Sequence, residues 1–292
     1  MEGRIGAQLE SILSRPADDR VFPLAVYAGA LADAGERGDT LAPEVAARVY
    51  AAILELFAAG AGTGGDRMAL GEALGRLGDP RLTRPSDAAY WTSIEVDGAQ
   101  LQVGRFPVTC FEYQRFVAEG GYQEDPWWSA GGMAWRQGGG DLWPALALDP
   151  EVQAMVIPNQ PVVGVTWFEA EAYARAQGAR LLTQRERRAL VRGGEKKPYP
   201  WGAPFGQGNA NTREEVLGKP CAVGIFPADQ TTEGVFDLAG NVAEWNQDHL
   251  GNMRLIHPGS WMQPSMAAWA KAVAMFPPDH RSPDLGLRLA RG

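Results

Sequence analysis

The sequence predicts an α+β chain in two parts: a small all-α region over residues 1–86 and a mixed, loop-rich domain over 87–292. Three observations carry that reading. The first part is rich in Ala and Leu at helical spacing. From about residue 88 Trp, Gly and Pro rise and strand-like runs alternate with short helices. Within that second part three Thr-x-x-Glu segments mark helix starts, each Thr able to cap and each Glu able to bond back.

In the first part Ile5, Leu9 and Ile12 share one helical face, as do Val45, Val49, Ile53 and Leu56. Pro16 and Pro23 are expected to bracket a helix boundary, and Gly60 to Gly65 to form a break. A short helix is expected within Met68–Leu82, stopped by Gly78 and Pro80. Four or five helices result. The region holds no His and no Cys, so its expected work is packing, docking or spacing.

The second part opens on a hairpin, 89–96 and 99–106, around Asp97-Gly98. The helix starts are Thr109/Glu112, Thr166/Glu169 and Thr183/Glu186, with ends expected near Gly120-Gly121, at Gly178 and at Gly193-Gly194. Between the first two lies an insert holding Trp127, Trp128, Trp135 and Trp143, which either covers a core or lines a binding surface. Cys221–Phe226 reads as a strand and Leu285–Ala290 as a buried terminal strand.

A net charge of −8 gives no electrostatic support to nucleic-acid or anionic-membrane binding. The first residues begin no apolar signal run, and two cysteines make no disulfide framework, so the expected location is cytoplasmic. Val235–Trp245 packs Asp237, Asn241 and Glu244 around Gly240. Such a set suits one hard cation such as calcium. It equally suits a self-bonded turn with a solvated Glu244. His257 and His280 are candidates for acid–base pairing with Asp248 or Asp279, or are capping residues.

Several motifs in order resemble the formylglycine-generating enzyme (sulfatase-modifying factor) family. They are Pro107–Tyr113, Pro161–Trp167, Arg180–Glu186 with Leu182 in place of Pro, Pro200–Gly202, Gly240–Trp245, Pro258–Trp261 and Gly286–Arg288. The resemblance implies a C-type-lectin-like fold, poor in regular structure and often steadied by calcium. Carried over by residue, one calcium site would use the side chains of Asp237 and Glu244 with the carbonyls of Gly240 and Val242. A second would use Asn211 and the Thr212 carbonyl, with Glu214 a further candidate. Catalytic members bind copper(I) through two cysteines just after the Gly-Ser-aromatic motif; here those positions are Gln263 and Ala268, so no copper is expected. The sulfoxide synthases of this fold hold iron in a histidine-rich helical domain, and this chain's helical part has no histidine.

The stretch 262–284, which replaces the lost catalytic segment, carries the candidate ligand-binding residues Met262, Gln263, Met266, Trp269, His280 and Arg281, with Trp261 just before it. Met262, Met266, Trp269, Met275 and Phe276 form either an adaptable apolar recognition surface or a filling for the vacated groove. The leading expectation is a non-catalytic module that binds a protein or peptide. A variable protein of diversity-generating retroelements and an enzyme with relocated chemistry on a peptide are the alternatives. Met262, Gln263, Met266, Trp269 and Lys271 are residue types that adenine-targeted variation does not yield, which disfavours the former.

Overall fold

A computed structural model describes residues 2–147, 149, 153, 155–192 and 197–292. Four helices form the first part: α1 (Glu2–Leu13), α2 (Ala17–Glu36), α3 (Pro43–Ala59) and α4 (Gly64–Leu77). Helix α3 starts with Pro43 in its first turn and stops at Gly60, whose φ of 65° suits a residue without Cβ. Helix α4 is set by Thr63, whose hydroxyl accepts from Asp66 N while the Asp66 carboxylate accepts from Thr63 N.

Helix α2 departs from the expected boundary, since it runs straight through Pro23. One lost backbone bond is outweighed by the apolar face that continues on either side, where Val21, Leu24, Ala25, Tyr27 and Ala28 are buried.

The helical core is not closed by helices alone. Cys221, Ala222, Ile225 and Phe226 from the second part complete it, packed with Leu70, Ala73 and Leu74 of α4. Two glycines let the backbones meet. A Cβ on Gly71 would stand 2.6 Å from Ala222 Cβ, and one on Gly75 would stand 2.2 Å from Asn159 Oδ1. Asn159, fully buried, donates to Gly71 O at 2.9 Å and to Asp79 Oδ2 at 3.0 Å. The buried Arg67 donates to the carbonyls of Gly60, Gly62 and Gly208.

In the second part, β1 (Trp91–Val96) and β2 (Ala99–Gly104) form the expected hairpin, with Asp97 and Gly98 both at positive φ. Helices α5 (Cys110–Ala118), α6 (Ala130–Gln137), α7 (Trp143–Leu146), α8 (Trp167–Ala176) and α9 (Gln184–Arg192) follow, with β3 (Arg180–Leu181) before the last. Helices α5 and α8 begin on the predicted capping boxes, and Thr183 and Glu186 make the matching pair of bonds at α9. The expected end of α9 at Gly193-Gly194 lies outside the described residues. Of the insert, Trp128 and Trp143 are buried and Trp127 and Trp135 pack against the same core, so it covers rather than opens.

Then come β4 (Ala243–Leu250), β5 (Met253–His257), β6 (Ala274–Phe276), β7 (Leu285–Gly286) and β8 (Leu289–Arg291). Among the described residues two four-stranded sheets result, ordered β1-β2-β8-β3 and β6-β5-β4-β7. The expected single terminal strand is therefore two. β7 pairs in parallel with β4, and β8 crosses to the other sheet beside β2 and β3. Leu287 and Arg288, fully buried, lie at the crossing.

The expected strand at 221–226 is absent. Its backbone bonds instead to side chains and loops, Cys221 N to Asn241 Oδ1 and Val223 N to Asn159 O, and Gly224 turns at φ 68°. Among the described residues no helix is long and apolar enough to cross a membrane.

The glycine contact on α4 gives a direct prediction. Gly71→Ala forces its methyl against Ala222 and should destabilise the chain by about 1–3 kcal/mol, read as a lower urea midpoint. An unchanged midpoint would mean the two parts do not depend on this close approach.

Candidate functional site

The centre of the second part is a buried ionic knot. Glu244 on β4 is 1% exposed, and Arg187 on α9 and Arg288 at the sheet crossing are 1% and 0% exposed. Arg288 donates from Nε at 3.0 Å and Nη2 at 2.8 Å to Glu244 Oε1. Arg187 Nε donates to Glu244 Oε2 at 2.9 Å. Burial alone would push the Glu244 carboxyl up, but Arg288 and Arg187 outweigh it and hold it below the usual carboxylate range. Arg288 also donates to the carbonyls of Gly104, Arg105, Phe236 and Asp237, which welds the 235–244 loop to the end of β2.

His257 faces Glu244 in the β4–β5 register and is fully buried. Arg187 Nη2 lies 3.4 Å from His257 Nδ1, and His257 Nε2 lies 3.2 Å from Trp269 O. A guanidinium can only donate, so Nδ1 accepts, and Nε2 carries the proton and donates to the Trp269 carbonyl. Burial, followed by the Arg187 cation, pushes the His257 pKa down to about 3, so the ring is neutral. The suggested partnership of His257 with Asp248 is replaced by this one; Asp248 instead accepts from Gln184 N. His280 stacks on Phe276, ring centroids 4.1 Å apart.

This knot decides how the calcium expectation fits. Glu244 is neither solvated nor free, because both of its oxygens are taken by guanidiniums. Asp237 Oδ2 accepts from Gly224 N, and burial pushes that carboxyl up to about 6. The Gly240 carbonyl already accepts from Val242 N. The set Asp237, Gly240, Val242 and Glu244 therefore does not fit a metal ion as it stands. At the second set the Thr212 carbonyl accepts from Glu215 N, and the Glu214 carboxylate accepts from Ser265 N and the Thr212 hydroxyl. Asn211 Oδ1 is buried with no hydrogen-bond partner among the described residues. Among the described residues no group of three or more His, Cys, Asp or Glu side chains is placed to hold a metal.

The segment after β5 is anchored along its backbone. Trp261 N donates to Asn241 O, Arg213 N to Gln263 O, and Ala270 N to Pro198 O. Tyr199 OH donates to Ser265 O and accepts from Trp269 Nε1 at 2.7 Å. Tyr199 stacks on Trp201 at 4.9 Å, with Phe205 edge-on to both. Ala268 is buried and Gln263 exposed at the two positions where catalytic members carry thiols. Met262, Met266, Val273 and Met275 are 39%, 63%, 47% and 43% exposed. Trp261 and Trp269 are half-buried.

Trp261, Met262, Gln263, Met266 and Trp269 lie along the one segment that follows β5, while Arg281 does other work. Arg281 pairs with Glu169, whose side chain is fully buried, and donates to the carbonyls of Gly164 and Asp141, so it braces α8. Cys110 and Cys221 are free, buried and in different clusters, and burial pushes both thiols up, Cys110 to about 12. Sequence reasoning missed Arg187 and Arg288 as partners of Glu244, and Tyr199 as the prop under Trp269. Arg187 carries no signal beyond being one charge in an Arg-rich helix, Gln184–Arg192.

A pH prediction follows from His257. Its pKa is depressed in the fold, so the unfolded chain takes up the proton first as pH falls below about 6.5. The contribution is present above that value and is lost progressively as pH falls toward about 3. The stability gap between wild type and His257→Gln should therefore be constant above pH 6.5 and shrink as pH falls below it. A constant gap across the range would contradict the neutral, donating ring.

With the geometry in place, comparison with known proteins is direct. The sulfatase-modifying factor enzyme 1-like domain model matches residues 68–292. Hercynine oxygenase of Mycolicibacterium thermoresistibile is 31% identical over 60% of this chain and 48% of its own length. The chain thus spans about half the length of the hercynine oxygenases it matches. The Mus musculus protein named inactive C-alpha-formylglycine-generating enzyme 2 is 27% identical over 67% of this chain and 76% of its own. Among solved structures, PvdO from Pseudomonas aeruginosa superposes with a TM-score of 0.51 at 22% identity, covering 69% of this chain and 90% of that one. The fold is α+β and C-type-lectin-like, as the resemblance implied. The chain belongs to the sulfatase-modifying factor enzyme 1-like domain family.

Proposed function

We propose that the chain is a non-catalytic module on this scaffold that binds a protein or peptide through the face built on residues 261–276. The observation that carries the reading is the exposure of Met262, Met266, Val273 and Met275 on a segment whose backbone is bonded down. Unbranched, polarizable methionines on a fixed support suit an apolar or mixed peptide partner. At the same place the soft thiolates that copper(I) chemistry needs are replaced by Gln263 and Ala268, and the two cysteines elsewhere are buried with raised pKa. A relative named inactive, covered over 76% of its length, supports the same direction. Two free thiols support a reducing, cytoplasmic setting. The net charge of −8 supports a protein or peptide rather than nucleic acid or an anionic membrane.

The test is selection of displayed peptides against the full chain, followed by equilibrium binding to wild type and to Met262→Glu/Met266→Glu. The double variant should keep its circular dichroism and lose about tenfold or more in affinity, equivalent to about 1.4 kcal/mol. Peptides that bind both proteins equally would remove this face from the account. Turnover of a selected peptide would favour relocated catalysis instead.

A further inference from the structure

We infer that Arg187 is the built-in cation of the 237–244 loop, standing in for the calcium that the fold family implies there, so that this loop is held without metal. Three guanidinium N–H groups engage both oxygens of the Glu244 carboxylate, two from Arg288 and one from Arg187. Arg187 is 1% exposed and reaches past the carboxylate to the Leu238 carbonyl, inside the loop itself. The loop's amides close on a second buried carboxylate: Asp229 accepts from Leu238 N, Ala239 N and Gly240 N. Positive charge, carbonyl contact and carboxylate contact are the three things a calcium ion supplies to such a loop. One side chain from α9 supplies all three.

A guanidinium adds something that a spherical ion does not, which is direction. Nε points at Glu244 and Nη2 at Leu238 O and His257 Nδ1. His257 passes the constraint to the Trp269 carbonyl, within the segment whose methionines are exposed. The same residue thus secures the loop and, through one imidazole, the position of the 261–269 face.

The experiment is thermal melting of the full chain with excess chelator and with millimolar calcium, for wild type, Glu244→Gln, Asp237→Asn and Asn211→Ala. Wild type should melt within about 1 °C in the two buffers. A calcium-induced rise that Asn211→Ala abolishes and Asp237→Asn retains would place metal at the other set and leave the inference standing. A rise in wild type that Glu244→Gln or Asp237→Asn abolishes would overturn it. Should Glu244→Gln not fold, Asp237→Asn still decides. Terbium luminescence sensitised by Trp245, two atoms of backbone from Glu244 along β4, reads the same site without melting. It should be absent in wild type, and emission quenched by calcium and lost in Asp237→Asn would overturn the inference.

Discussion

The rest of the second part depends on one buried carboxylate having two cations. Glu244 sits on β4 in one sheet, Arg288 sits where the chain leaves that sheet for the other, and Arg187 comes from the helix between. Removing Glu244 would leave two uncompensated guanidiniums in a fully desolvated site, at a cost of about 3–5 kcal/mol, whereas removing either Arg leaves a one-to-one pair with fewer hydrogen bonds. Removing all three in favour of apolar side chains need not cost stability, so the knot is better understood as a register device. It ties β4 of one sheet to the point where the chain crosses into the other.

The helical part is held to this domain by close packing and by hydrogen bonds of Asn159 and Arg67. Its core is finished by Cys221, Ala222, Ile225 and Phe226, and the approach depends on two glycines one helical turn apart. The loop that closes the helical core is tied by Cys221 N to Asn241, inside the same 237–244 loop. The two parts are therefore joined through the loop that the ionic knot fixes. Contacts run from Gly71 on α4 against Ala222, through its neighbour Cys221 N to Asn241 Oδ1, to Trp261 N on Asn241 O.

Much of this was legible in the sequence. The three Thr-x-x-Glu starts, the Asp97-Gly98 turn and Gly78 as the stop of α4 are local, and each became the expected element because its bonds are made within four residues. What failed was non-local. Pro23 could not break α2 because burial on both sides held it, and residues 221–226 could not be a strand because their partners are side chains from distant loops. Asp237 and Glu244 looked alike as oxygen donors. Only their fold neighbours distinguish them, since Arg187 is 57 residues from Glu244 and Arg288 is 44 away. Nothing local to Arg281 shows that Glu169, 112 residues earlier, claims it.

This scaffold keeps its form through internal charge pairing, with Gln263 and Ala268 where a thiol pair would bind a reactive metal. Elemental analysis of the purified full chain after dialysis, with copper and iron quantified against protein, tests that claim most directly. Contents far below one equivalent of either metal are predicted. One equivalent of copper or iron, surviving dialysis and lost on unfolding, would contradict it.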